Sequence, residues 1–329
     1  MISPFGKVRF SLALLFVVLA VNFLMAQRVR EGSAPAGHKL VPHGDGSVEA
    51  VPGTGAAPTG NTVTLGNGIN YNGGPVLKGN PVPIYIIWYG NWNGTGSNTQ
   101  ATVSLVDTFF NSLGNTPYEL INATYGDNTG DVSGNVALGG QIFDTGSQGA
   151  KLNNKKLGNV VTRALSNGLP TDVNGVYLVL TSSDVSESGF CSSFCGFHTH
   201  QTINGADIKW GFIGNTDRCP SACSIQPTGP NSPAVGVGGA DGMINVIAHE
   251  QEEAISDPDL NAWFDSGGQE NADKCNFTFG TTSGCTAGSL CTPTGISVAA
   301  RFNQTFGNHV WMIQENWKNA GGGGCVQHL

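Results

Sequence analysis

From about residue 80 onward, short apolar runs alternate with amphipathic stretches. Residues 82–88 (VPIYIIW) and 175–181 (GVYLVLT) are β-branched, almost uninterrupted apolar runs bounded by Pro and Gly, and they predict buried strands. Residues 99–113 and 157–165 have helical apolar spacing, while 118–124 and 135–144 read as further strands. Residues 201–213 predict an edge hairpin, and 241–255 a helix. The order strand, helix, strands, helix, strand, hairpin, helix predicts an α/β domain on a mixed, twisted sheet with the last helix laid against it. Asp241 is the predicted N-cap of that helix, and Pro258 predicts its end near Ser256. Ile244, Ile247, Ala248 and Ile255 share one face; His249 and Glu253 sit on another beside Val246.

The chain's first part lacks this patterning. Lys7 and Arg9 precede an apolar run over residues 10–26, which predicts a secretory signal ending at Ala26; the alternative is an uncleaved anchor helix. Residues 27–71, as in GDGSVEAVPGTGAAPTGN, have neither helical nor strand period and predict a linker or propeptide. His38 and His43 would approach a metal only if that segment folds back as a propeptide. The folded unit is expected over residues 72–329, as one domain with a disulfide-rich C-terminal part. No later segment is apolar enough to span a bilayer, so no membrane association is expected after signal cleavage.

Among 329 residues only 12% are charged, with 48 Gly and a formal net charge of -8. Such a chain offers no basic surface for a phosphate backbone, which argues against nucleic acid as a partner. All eight cysteines lie between Cys191 and Cys325. An even count in an exported chain predicts disulfides. Their clustering suggests bridges between the Cys191/Cys195 and Cys219/Cys223 turns, and a small loop closed by Cys285 and Cys291. The competing assignment is a zinc site from Cys191, Cys195, His198 and His200.

The sharpest chemical signal is His249-Glu250-Gln251-Glu252-Glu253. His249 and Glu253 fall about 40° apart on a helix turning roughly 100° per residue, so both can face one metal ion. Glu250 then stands where a base could take a proton from metal-bound water. The pattern resembles the zinc-peptidase helix His-Glu-x-x-His with Glu253 in place of the second imidazole. The bland alternative is a solvated, charged helix end.

A protein-held ion needs a third ligand, and several carboxylates are available downstream. Asp259 lies at the spacing of one zincin branch, with Ser256 standing where that branch has a turning glycine. Glu270 and Asp273, in Glu-Asn-Ala-Asp, resemble the other branch, where a Glu binds zinc and an Asp supports the site. One divalent ion is expected, zinc first; an oxygen-rich shell also suits manganese, magnesium or calcium. The extra carboxylate charge weakens the ion's power to acidify water, so hydrolysis is expected to be slow or absent. All six tyrosines lie at or before Tyr177, leaving His309 in GNHVW as the downstream candidate for oxyanion donor.

The stretch DGMINVIAHEQEEAISDPDLNAWFDSGGQENADKC, with FCSSFCGFHTH, NTDRCPSAC and FNQTFGNHVWMIQENWKNAGGGGC, resembles the phosphate-induced protein or Exordium-like family over about residues 80–325. It is most similar to microbial members with a His-Glu-x-x-Glu-Ala helix. The resemblance implies a secreted protein, associated in plants with the cell wall and growth responses. The plant members lack the His-Glu pair, so family resemblance alone carries no enzymatic activity. It further implies a Cys275–Cys325 bridge, with Cys285 and Cys291 as a private addition. Two functions follow as expectations: a metallohydrolase acting on a peptide or protein substrate, or a noncatalytic extracellular or cell-wall-associated growth or signalling protein with a structural metal or none, for which a cell-wall component is a candidate partner. Glycan binding through Trp88, Trp92 and Trp263 is a third.

Overall fold

The protein is described by a computed structural model covering residues 68–226, 228–231, 239–265, 268–286, 288, 290, 291 and 299–329. The signal, and all but the last four residues of the predicted linker, lie outside these residues.

Five strands form the central sheet: β1 (Val82–Tyr89), β2 (Val136–Asp144), β3 (Val176–Thr181), β4 (Gly196–Ile203) and β5 (Ala206–Ile213). Their spatial order is β2-β1-β3-β5-β4. The first four in that order run parallel, and β4 returns antiparallel along the edge. Burial explains the sequence patterns. β3 is buried at every position, as expected for a central parallel strand covered on both faces, whereas β2, at an edge, alternates. The β4–β5 hairpin closes at Asn204 and Gly205, whose φ values of 52° and 84° suit a type I′ turn.

Helices α1 (Gln100–Leu113), α2 (Asn154–Ser166) and α3 (Gly239–Ser256) flank the sheet. Gly158 of α2 approaches the Gln201 side chain, while α3 lies against β4 and β5 near His198. Gln201 and His198 occupy opposite faces of one strand, so α2 and α3 cover opposite faces of the sheet. Beyond α3 the chain is held by short antiparallel pairs, one joining Asn70–Tyr71 to Trp263–Phe264, two residues before the expected start of the folded unit. Disulfides link Cys191–Cys219, Cys195–Cys223, Cys275–Cys325 and Cys285–Cys291. The thiolate–imidazole zinc site is thereby excluded.

Several expectations need correction. Residues 118–124 are not a strand: Glu119–Thr124 is a 3₁₀ helix, because Glu119 and Asn122, three residues apart, both turn inward toward α3. Asp241 is not the N-cap; α3 begins at Gly239, and the Asp241 carboxylate in its first turn accepts from the Asn231 side chain at 2.8 Å. The hairpin starts at Gly196, five residues earlier than expected, and only β4 of the pair is an edge strand. Trp88, Trp92 and Trp263 are core residues and form no surface platform.

Candidate metal centre

Helix α3 is buried all round, including His249, Glu250, Gln251, Glu252 and Glu253. A solvated helix end is therefore excluded. β4 and β5 cover one side, α1 and the 3₁₀ segment contact others, and the loop carrying Glu270 and Asp273 closes over the His249–Glu253 face.

His249 Nε2 lies 3.1 Å from Glu253 Oε1 and 3.5 Å from Asp273 Oδ1. From β4, His198 Nε2 lies 2.9 Å from Glu270 Oε2 and 3.8 Å from Glu253 Oε2. His198, His249, Glu253 and Glu270 are fully buried, and Asp273 nearly so. An ion with bonds of about 2.0–2.2 Å separates its ligand atoms by roughly 2.9 Å in an octahedron and up to about 3.6 Å in a tetrahedron. The nitrogen–oxygen spacings fall in or just beyond that range, so the donor set fits a divalent cation. Mixed imidazole and carboxylate donors suit zinc and manganese.

The loop is held by its neighbours. The Asp273 backbone N–H donates to Glu253 Oε1 at 3.0 Å. Gln314 ties the loop to the helix, its amide donating to Ala272 O at 2.8 Å while its backbone N–H donates to Asn245 Oδ1 at 2.7 Å. The Cys275–Cys325 bridge anchors the loop two residues after Asp273. At Gly196, β4 passes close to the helix: a methyl group there would lie 2.6 Å from Val246 Cγ1 and 2.9 Å from Glu250 Oε1.

The electrostatics call for positive charge. Burial lowers the proton affinity of the His249 imidazole, but Glu253, Asp273 and Glu250 outweigh it and raise its pKa well above the ordinary value. Burial, then the charges of Glu253, Asp257 and Asp273, push the Glu270 carboxyl well above the usual carboxylate range. Both shifts express one condition: several acids gathered in a buried place, a condition a metal ion would relieve.

Residues 69–320 match the family described as phosphate-induced protein 1 conserved region. The chain belongs to this family. Among its relatives, Protein EXORDIUM-like 5 of Arabidopsis thaliana is 34% identical over 60% of this chain and 59% of that protein, less than two thirds of the relative's length. Protein EXORDIUM-like 3 of the same plant is 32% identical over 66% of this chain and 71% of the relative. No solved structure matches the chain.

In this member of the family, four of the sequence-predicted metal residues, His249, Glu253, Glu270 and Asp273, meet at one place, and the Glu250 carboxylate acts on His249. Asp259 is elsewhere, 3.2 Å from Lys209 and 3.9 Å from His200 in a partly exposed cluster. His309 sits in a C-terminal hairpin, its Nδ1 3.0 Å from Gly307 O and its ring stacked on Trp311; these contacts do not join it to the centre. Sequence reasoning placed His198 with cysteines rather than carboxylates. The usable signal was strand alternation in GFHTHQTI, which puts His198 and His200 on one face, opposite Phe197 and Thr199.

Proposed function

We propose that this member of the phosphate-induced protein family is a secreted metal-binding protein of the branch carrying His-Glu-x-x-Glu, and that its centre is a zincin-type hydrolytic site acting on peptide bonds. One observation carries the reading: helix, edge strand and downstream loop converge their imidazoles and carboxylates on Glu253 at ligand spacing. The antiparallel edge strand alongside the helix supports a zincin-like arrangement. The four disulfides fit export, and among the described residues no helix is long and apolar enough to cross a membrane.

His249, Glu253, Glu270, Asp273 and His198 would hold the metal. When bound, it would supply Lewis acidity toward a carbonyl oxygen. Glu250, fully buried and acting electrostatically on His249, would be the group that holds a proton in hydrolysis. His309 would reach the site as oxyanion donor only if its hairpin moves.

Complete burial of four of the ligands favours a second reading, a noncatalytic extracellular or cell-wall-associated protein in which the metal braces the fold. Elemental analysis of secreted protein purified without chelator, beside His249→Ala and Glu270→Ala, separates these possibilities. Bound metal lost in both variants supports the centre, and cleavage of a peptide library abolished by Glu250→Gln with metal retained supports hydrolysis. Wild-type protein that binds metal, cleaves nothing and loses only thermal stability in His249→Ala supports the second reading. Absence of metal after incubation with zinc, manganese or calcium refutes both metal readings.

A further inference from the structure

Glu253 presents its two oxygens to two different imidazoles. Oε1 lies 3.1 Å from His249 Nε2, and Oε2 lies 3.8 Å from His198 Nε2. Each imidazole also lies near a further carboxylate: Asp273 Oδ1 at 3.5 Å from His249, and Glu270 Oε2 at 2.9 Å from His198. The centre is therefore two three-residue sets, His249–Glu253–Asp273 and His198–Glu253–Glu270, overlapping at a single carboxylate. We infer that it holds two divalent cations, one in each set, with Glu253 bridging them. This inference rests on the metal-binding reading above and replaces the single ion expected from the sequence.

Geometry and charge both point this way. A lone ion shared by all five residues would need Glu253 to chelate it from between two imidazoles that approach opposite oxygens. Two ions let each oxygen serve the imidazole it faces. The two halves also have matching composition, each with one imidazole and one carboxylate besides Glu253, although they come from unrelated segments: β4 with Glu270, and α3 with Asp273.

Five acids gather here: Glu250, Glu253, Asp257, Glu270 and Asp273, with Asp257 acting directly on Glu270 and Glu250 on His249. Two divalent ions bring four positive charges to this group of five acids, and one ion only two. The chemistry also changes. A bridged pair of ions is a clamp for both oxygens of a displacement reaction, and it restores Lewis acidity that a carboxylate-rich single site lacks.

The test is metal stoichiometry in the full secreted protein, stripped with chelator, dialysed and titrated with Zn(II). Two ions per chain are expected in the wild type, falling to one in His198→Ala and to one in Asp273→Ala, since these remove ligands from opposite halves. A wild-type plateau at one ion overturns the two-ion arrangement and leaves the metal reading standing; a plateau at zero overturns both. Electron paramagnetic resonance of wild-type protein loaded with Mn(II) needs no variant to fold. A spin-coupled spectrum is expected for ions about 3.5–4 Å apart, the usual two-metal spacing, and an isolated-ion spectrum at saturation would refute the bridge.

Discussion

Gly196→Ala tests whether the spacing of strand and helix sets the centre. Gly196 opens β4 in extended geometry, which alanine adopts readily, so the perturbation is steric. The added methyl would meet Val246 Cγ1 at 2.6 Å, Glu250 Oε1 at 2.9 Å and the Phe212 carbonyl oxygen at 2.9 Å. Carbon atoms settle about 3.5–4.0 Å apart, so β4 and α3 must separate by roughly 1 Å. Overpacking of this kind costs about 1–3 kcal/mol. In a domain of this size that lowers Tm by about 2–4 °C per kcal/mol, roughly 2–12 °C in all. The same retreat carries His198, two residues along the strand, away from Glu253, already 3.8 Å from it. Zinc affinity should fall with stability. The assay is thermal unfolding with and without Zn(II), with equilibrium dialysis for bound metal. Gly284→Ala, where nothing lies within 4 Å of the new methyl, is the control and should change neither. Wild-type Tm and metal content in Gly196→Ala would refute the idea that close strand–helix contact builds the site.

Removing Cys275–Cys325, which closes a 50-residue separation, should cost about 4 kcal/mol by the loop-entropy relation and weaken zinc binding because the Glu270–Asp273 loop loses its anchor. Removing Cys285–Cys291, six residues apart, should cost about 2 kcal/mol and leave zinc binding unchanged; denaturant unfolding and dialysis of the two variants check both statements. Burial pushes the Glu119 carboxyl up to about 8, so the native state holds a proton that the unfolded chain releases near 4.5. The associated stability is present below pH 4.5 and is lost as pH rises toward 8. Glu119→Gln should therefore flatten the decline in Tm between pH 5 and pH 8.5, and an unchanged pH profile would show that this carboxyl is not protonated in the fold. Burial likewise pushes Glu187 up to about 8, and Glu187→Gln should act in the same direction.

The sequence was most readable where apolar periodicity and local bonding agree. VPIYIIW and GVYLVLT became the central strands, and the 99–113 pattern became α1, because each expresses its burial within one element. The His249–Glu253 pair was readable for the same reason: both residues lie on one helix. His198 was obscured because its partner Glu270 is 72 residues away and the cysteines beside it suggested a different chemistry. The 3₁₀ segment was misread because its apolar residues alternate loosely, while the inward-facing Glu119 and Asn122 look like surface residues. Only α3, supplied by another part of the chain, gives them a buried partner.

The complete burial of α3 also bears on how such a centre persists through descent. A buried group of charges is weak support for a fold, and well-packed apolar or amide side chains of similar volume often serve as well or better. The sheet, the disulfides and the hairpin would survive such replacements at 198, 249, 253, 270 and 273. Loss of the set in a lineage would have to be concerted, because removing one partner at a time leaves the remaining buried charges uncompensated, whereas exchanging the group together keeps the same outward shape.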